Sequence, residues 1–280
     1  MRLLTRTPFQ FPEIKLGDTR RMPLWKKIKL CLRLPYDTAA NLYMGLGAEI
    51  LGGKTTDFKS EVAFSVSSSV NVEIVKRIKD HFNVAYATVL YAAMFGAIER
   101  AIEVSGQSVP HTLVSAFVLP RPNHPKGLNI HLAMIFAEWP VKSYSSVDRM
   151  LKIQKNFESL STSTAAAMYM VVIRAASILP MRVRKFCADL FLRIFNISVG
   201  CTNFPTTIGR ESYDEHEMVD IIVAMGTLYS VGLVTATGGL NNQQRFNFTV
   251  DKNLLGSEDA ARKLGSFAVQ ELQNLFNATL

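Results

Sequence analysis

Asn196-Ile-Ser-Val-Gly-Cys-Thr-Asn-Phe-Pro-Thr-Thr-Ile-Gly209 is the stretch whose reading decides the fold. It begins as a short β-prone run. Pro205 must end that run, because proline fixes φ and has no N–H to offer a neighbouring strand. The polar side chain of Asn203 is therefore left at a strand end. Residue types alone read this as an edge strand running into a turn.

Upstream, helical periodicity covers residues 147–160, 164–178 and 181–195, the first helix capped by Ser145 or Ser146. Three helices between a strand at 129–139 and the Asn203 strand make a crossover, so the sheet contains parallel neighbours. Further upstream lie a turn-rich loop at 120–126, a strand at 112–119 and helices at 72–82 and 88–104. The 88–104 helix has an almost wholly apolar face, and residues 61–70 alternate as a strand with one buried face. Downstream, strands are expected at 218–225, 228–237 and 245–250, with Gly238-Gly239 and Asn241-Asn242 turning the chain between the last two. Ser257 caps a final helix to about residue 276.

Residues 1–23 mix proline and charge without a period and read as a linker. Over 24–34, Leu24, Trp25, Ile28, Cys31 and Leu32 fall at helical spacing, with Lys26, Lys27, Lys29 and Arg33 mostly off that face. Such a basic amphipathic helix either docks on the body with a solvated cationic face or anchors at a membrane surface through Trp25, Lys26, Lys27 and Lys29. Pro35-Tyr36-Asp37 are expected to stop it. Asp37 then caps a second helix to about Leu51, and Gly52-Gly53 end that one. The run from Ala48 to Thr55 has loose P-loop spacing, but it follows a helix and precedes a strand, the reverse of what a phosphate-cradling loop needs.

A content of 48% hydrophobic residues in 280 gives ample material for a buried core. Lys+Arg 31 against Asp+Glu 23 leaves +8, which suits an acidic partner: a membrane surface, a CoA phosphate or nucleic acid. Nucleic acid fits least, since no predicted element interleaves basic and aromatic residues. Cys31, Cys187 and Cys201 are odd in number and lack metal-ligand spacing, so they support neither a zinc site nor a disulfide framework and fit reduced thiols. Met1 to Gly17 offers no continuous apolar core for a signal peptide. Residues 165–181 are apolar but short, with Arg174 in the middle and Pro180 near the end, so a buried helix is expected there rather than a membrane span.

Thr202, Asn203, Phe204, Pro205 and Thr206 resemble the Ser-Asn-Val-Pro-Gly-Pro signature of the wax ester synthase/diacylglycerol acyltransferase family, with Phe204 for Val and Thr206-Thr207 for the last Gly-Pro. The order of elements from about residue 59 to 276 is similar to that family's C-terminal domain. Asn129 stands where the family has Gly-Asn, and Ala236-Thr237-Gly238-Gly239 loosely match its Ser-Tyr-x-Gly turn. Ala87-Thr88 replace the usual Asn-Asp, and Phe117 replaces an Arg. The resemblance implies an α/β fold, a mixed β-sheet flanked by helices, forming one half of the CoA-dependent acyltransferase fold. Residues 1–57 would be linker and basic helix, and 58–280 the domain itself.

By the same resemblance, the protein is expected to esterify diacylglycerol or a long-chain alcohol from acyl-CoA, a substrate rather than a cofactor, with no metal. Its place would be the cytoplasmic face of a membrane or lipid droplet. Asn203, Phe204, Pro205, Asn129 and Gly239 would line the substrate tunnel. The family's base lies in a His-His-x-x-x-Asp-Gly motif of the N-terminal half, and this chain has no adjacent His pair. Glu215-His216-Glu217-Met218-Val219-Asp220-Ile221 keeps one His and the Asp, but beyond the Asn203 signature, where it reads as a charged turn. No catalytic residue is assigned, a missing N-terminal half is the expected partner, and the alternative is a noncatalytic lipid- or acyl-CoA-binding protein.

Overall fold

The computed structural model describes residues 24–47, 51, 61–120, 132–195, 197–204, 206–213, 216–227 and 231–280. The 1–23 linker, the Gly52-Gly53 helix end, the 121–126 loop, Asn129, Pro205, His124, His131 and Glu215 lie outside the described residues.

The sheet is built outward from β3 (Thr112–Pro120) and β4 (Leu132–Pro140), an antiparallel pair in register from Thr112 opposite Pro140 to Pro120 opposite Leu132. Side chains alternate between faces of a strand. Leu113, Phe117, Ile135, Ala137 and Trp139 thus enter one core, while Val114 and Phe136 enter another on the opposite face. Ser115 sits among the first group because it accepts the Trp139 indole N–H at 2.6 Å, which satisfies a donor that would otherwise be stranded.

The crossover expected before Asn203 is present. α4 (Ser146–Thr162), α5 (Ala165–Ser177) and α6 (Met181–Ile194) lead into β5 (Val199–Asn203), which runs parallel to β3. After β6 (Ser212–Tyr213) and β7 (His216–Glu217), a separate two-stranded hairpin, β8 (Leu233–Gly238) returns parallel to β5 and β9 (Gln243–Asp251) antiparallel to β8. Two strands from the start of the domain, β1 (Val62–Val66) and β2 (Val70–Asn71), pair with the far side of β9. The order β1-β9-β8-β5-β3-β4 makes a mixed sheet, the α/β architecture that the sequence implies.

Helices cover both faces. α2 (Val72–Phe82) is capped by Asn71 and ends on Asn83 in the left-handed region, and α3 (Tyr86–Val104) is buried along most of its length. α7 (Glu258–Arg262), capped by Ser257, and α8 (Leu264–Asn277) complete this layer, with α3 packed on α8 and α4. Between them, Arg149 of α4 is buried with Glu99 of α3 and Glu271 of α8. On the opposite face α1 (Leu24–Gly47) and α5 lie against β4.

The Asn203 run, which residue types read as an edge strand, is β5 in the interior of the sheet, paired with β3 on one side and β8 on the other, because the crossover helices deliver it between them. Three further expectations fail, each for a tertiary reason. First, α1 runs unbroken through Pro35. An interior proline removes one helical hydrogen bond and crowds the carbonyl four residues back. Here the second half of the helix is held from outside. Asn41 donates its amide to Phe136 O at 2.7 Å and accepts Phe136 N–H at 3.2 Å, covering the free edge of β4. Asp37 does not cap its own helix; its carboxylate accepts the Thr164 N–H and hydroxyl at the start of α5.

Second, residues 218–225 form no strand. Both edges of β9 are taken by β8 and by β1 with β2, so the Val223 and Met225 N–H groups donate to side chains, Asn247 Oδ1 and Thr249 Oγ1. Third, α5 is not a buried helix. Only Ala165 and the side of its first turns are covered, and residues 171–175 are all exposed. Among the described residues no single helix is long and apolar enough to cross a membrane.

Candidate functional site

β5 and β8 are parallel neighbours, so their carboxyl ends emerge together, at Asn203 and at Thr237-Gly238. Open α/β sheets bind ligands at such ends. Asn203 Oδ1 accepts the Thr237 hydroxyl at 2.7 Å, which orients the side-chain amide with its NH2 end away from β8. Asn203 is exposed, and Phe204 is 42% exposed.

The segment after Asn203 does not leave the sheet. Phe204 N–H donates to Thr237 O at 2.7 Å, Thr207 N–H to Gly239 O at 3.3 Å, and Asn242 N–H to Thr207 O at 2.8 Å. Phe204 and Thr207 are thereby laced to the β8–β9 turn. The turn is made by Asn241 and Asn242 at φ 55° and 62°, where asparagine is among the few side chains tolerated. Gly239 is required for packing. A Cβ there would fall well inside contact of Gln243 O, 2.8 Å from its carbonyl carbon and 3.1 Å from Gln244 Cα.

Beneath the lacing lies a buried polar cluster. Gln244 Oε1 accepts the Thr206 hydroxyl at 2.6 Å and the Tyr86 hydroxyl at 3.2 Å, while its Nε2 donates to Gly238 O and Arg245 O. Burial pushes the Tyr86 phenol up to about 12, a rise the Thr206 hydrogen bond opposes and Glu73 reinforces, so it stays a neutral donor. One amide thus ties the start of α3, the signature segment and the β8–β9 turn together.

Of the tunnel candidates, the fold brings Asn203, Phe204 and Gly239 into this one lip, while Pro205 and Asn129 lie outside the described residues. Sequence reasoning names Thr237 only within the loose turn match, not as the partner of Asn203, and misses Tyr86 and Gln244. Gln244 fell in the expected turn region before the 245–250 strand, and nothing local announces that it is a fully buried residue of β9. Phe117, where the resembled family has Arg, packs edge-on against Tyr91, Trp139 and Phe157. His81, His111 and His216 are exposed, and among the described residues no group of His, Cys, Asp and Glu could hold a metal. A cleft of about 180 Å³ between β2, α2 and α8 is lined by Val70, Asn71, Ile74 and Leu272 and by none of the lip residues, although its Asn71 accepts the Asn242 side-chain amide at 3.2 Å. In α1, Leu24, Trp25, Ile28 and Leu32 are each more than half exposed; the side chains of Lys26, Lys27 and Lys29 lie outside the described residues.

No model of a known protein family matches the sequence, and no curated protein matches it. Solved structures do match. The wax ester synthase/diacylglycerol acyltransferase from Marinobacter aquaeolei VT8 aligns over 92% of this chain and 59% of its own, with TM-score 0.57 and 12% identity. The epimerization domain from the third module of tyrocidine synthetase B aligns over 90% and 56%, with TM-score 0.58 and 8% identity. The EpoB cyclization-docking bidomain from Sorangium cellulosum aligns over 90% and 50%, with TM-score 0.55 and 12% identity. The chain has the fold these acyltransferase and condensation-type domains share. It spans between half and three-fifths of the length of each.

Proposed function

We propose that this chain is the C-terminal lobe of an acyl-CoA-dependent O-acyltransferase that esterifies diacylglycerol or a long-chain alcohol. The observation that carries this reading is the lip. Of the residues resembling the acyltransferase signature, Thr202 and Asn203 end β5 beside the end of its parallel neighbour β8, and Phe204, with Thr207 just beyond, is bonded to the segment that holds Gly239. In this reading the acceptor hydroxyl attacks the thioester carbonyl, CoA leaves as the thiol, and a general base takes the hydroxyl proton. Asn203, oriented by Thr237, offers its amide to the acyl-CoA, and Phe204 gives the lip an apolar wall. The base belongs to a second lobe carrying His-His-x-x-x-Asp-Gly. Trp25, Lys26, Lys27 and Lys29 hold the protein at the cytoplasmic face of a membrane or lipid droplet, where both substrates reside.

Ester formation from labelled acyl-CoA and a long-chain alcohol tests it. The chain alone is inactive, and activity appears when the second lobe is fused or added. A general base contributes about 10²–10⁴-fold, which sets the size of the gain. One observation favours a different role: the position of the family's Arg is filled by buried Phe117. If the two lobes associate, bind acyl-CoA and still form no ester, the chain is a noncatalytic acyl-CoA-binding protein.

A further inference from the structure

The hairpin of α5 and α6 is rooted at one end and free at the other. At its root, Thr164 is held by Asp37, and Tyr169, Phe191 and Phe195 close around Phe136 at ring separations of 5.1–6.0 Å. The nine residues after Tyr169, ending at Ile178, carry the tip about 13 Å along the helix beyond this ring. The tip has regular geometry, with Ile178 N–H on Ala175 O, Leu179 N–H on Ala176 O and Arg184 N–H on Pro180 O.

What it exposes is unusual for a surface helix. Residues 171–175 are exposed in succession, which takes in every side of the helix, and they include Val172 and Ile173. At the tip Ile178 is 87% and Met181 71% exposed, followed by Phe186 at 66%. Apart from Arg174 this exposed run is apolar, and so broad an apolar surface on a helix is normally enclosed by protein or by lipid. The charges of the two helices are predominantly positive, and Arg182, Arg184 and Lys185 follow the tip directly. Residues 165–194 contain Arg174, Arg182, Arg184, Lys185 and Arg193 against Asp189 alone, five positive against one negative. An apolar tip collared by cations is complementary to an anionic lipid surface, with acyl chains receiving the tip and headgroups the collar. α5 has 13 residues, about 20 Å of helix, too short for the roughly 30 Å hydrocarbon core of a bilayer, so it suits entry into one leaflet or a monolayer.

We infer that the α5–α6 hairpin, tipped by Ile178 and Met181, inserts into an anionic lipid leaflet and is the principal membrane-docking element of the protein. This extends the membrane part of the proposed function from α1 to a second element and does not depend on acyl transfer. α1 packs on α5 through Asp37, which puts its exposed Trp25 half on the same assembly.

The test is vesicle flotation of the full chain with phosphatidylcholine alone and with phosphatidylcholine doped with phosphatidylserine. Wild type floats with the anionic vesicles, less so as salt rises. Ile178→Asp with Met181→Asp, both at exposed positions that keep the fold by circular dichroism, lowers binding at least about tenfold. Arg182→Glu with Lys185→Glu lowers it on anionic vesicles and abolishes the salt dependence. Unchanged flotation in the tip variant overturns the proposal and leaves α1 as the anchor. Light scattering that shows a wild-type dimer made monomeric by the tip variant, without vesicle binding by either, overturns it in favour of contact between two copies.

Discussion

Gly239→Ala is the sharpest perturbation of the lip. Gly239 is not at positive φ, so the substitution tests packing and not backbone freedom. The new methyl would meet only backbone, the Gln243 carbonyl and Gln244 Cα, so no side chain can rotate out of its way. The turn must open, and the bonds Thr207 N–H to Gly239 O and Asn242 N–H to Thr207 O must lengthen with it. Overpacking of this kind plus two weakened hydrogen bonds gives a loss of about 2–4 kcal/mol. Gly238→Ala is a graded comparison, since its methyl meets a side-chain atom, Phe204 Cβ, at 3.0 Å, and Gly209→Ala is the neutral one, with nothing within 4 Å. Urea unfolding gives the stabilities, and hydrogen exchange of the Phe204, Thr207 and Asn242 amides reports whether the lacing loosens. If Gly239→Ala unfolds with Gly209→Ala and those amides keep their protection, the described packing of the turn is wrong.

Asp37→Asn weakens the staple between α1 and α5. Burial opposes ionisation of Asp37, but the Thr164 hydrogen bonds and Arg33 outweigh it and hold the carboxyl below its usual range. A depressed folded pKa stabilises fully above the unfolded value of about 3.9 and loses that stability as pH falls through the folded value, so the gap between wild type and Asp37→Asn closes in acid unfolding. Gln244→Leu strands the Tyr86 and Thr206 hydroxyls and two carbonyls and destabilises by about 1–3 kcal/mol, more than Tyr86→Phe, in the same urea assay. Arg149→Met leaves Glu99 and Glu271 facing each other in the interior and costs about 3–5 kcal/mol near neutral pH. Burial already pushes the Glu99 carboxyl up despite Arg149, so protonation comes easily, and the Arg149→Met loss shrinks as thermal unfolding is measured at lower pH.

What was legible in the sequence was whatever local pattern determines. The alternation of β1, the caps Ser145 and Ser257 and the Asn241-Asn242 turn each follow from side-chain chemistry within a few residues. What was illegible depends on partners far along the chain. Pro35 reads as a helix end until Asn41 is seen gripping Phe136, 95 residues away. Residues 218–225 read as a strand, yet β9 has no free edge to receive one. α5 reads as core because apolar composition cannot say whether protein or another medium surrounds it. In the candidate site Asn203 and Gly239 were visible as turn chemistry and by resemblance. Tyr86 and Gln244, 158 residues apart, acquire meaning only when the fold joins them.

The central claim is that the lip at the ends of β5 and β8 receives acyl-CoA. Its most direct test is photolabelling by a diazirine-bearing fatty acyl-CoA, with the second lobe present, followed by peptide mapping. Label should fall on residues 203–207 and 238–240, be displaced by unlabelled acyl-CoA and diminish in Asn203→Ala. Label confined to other segments, such as the cleft beside Ile74 and Leu272, or label that unlabelled acyl-CoA does not displace, would contradict the account.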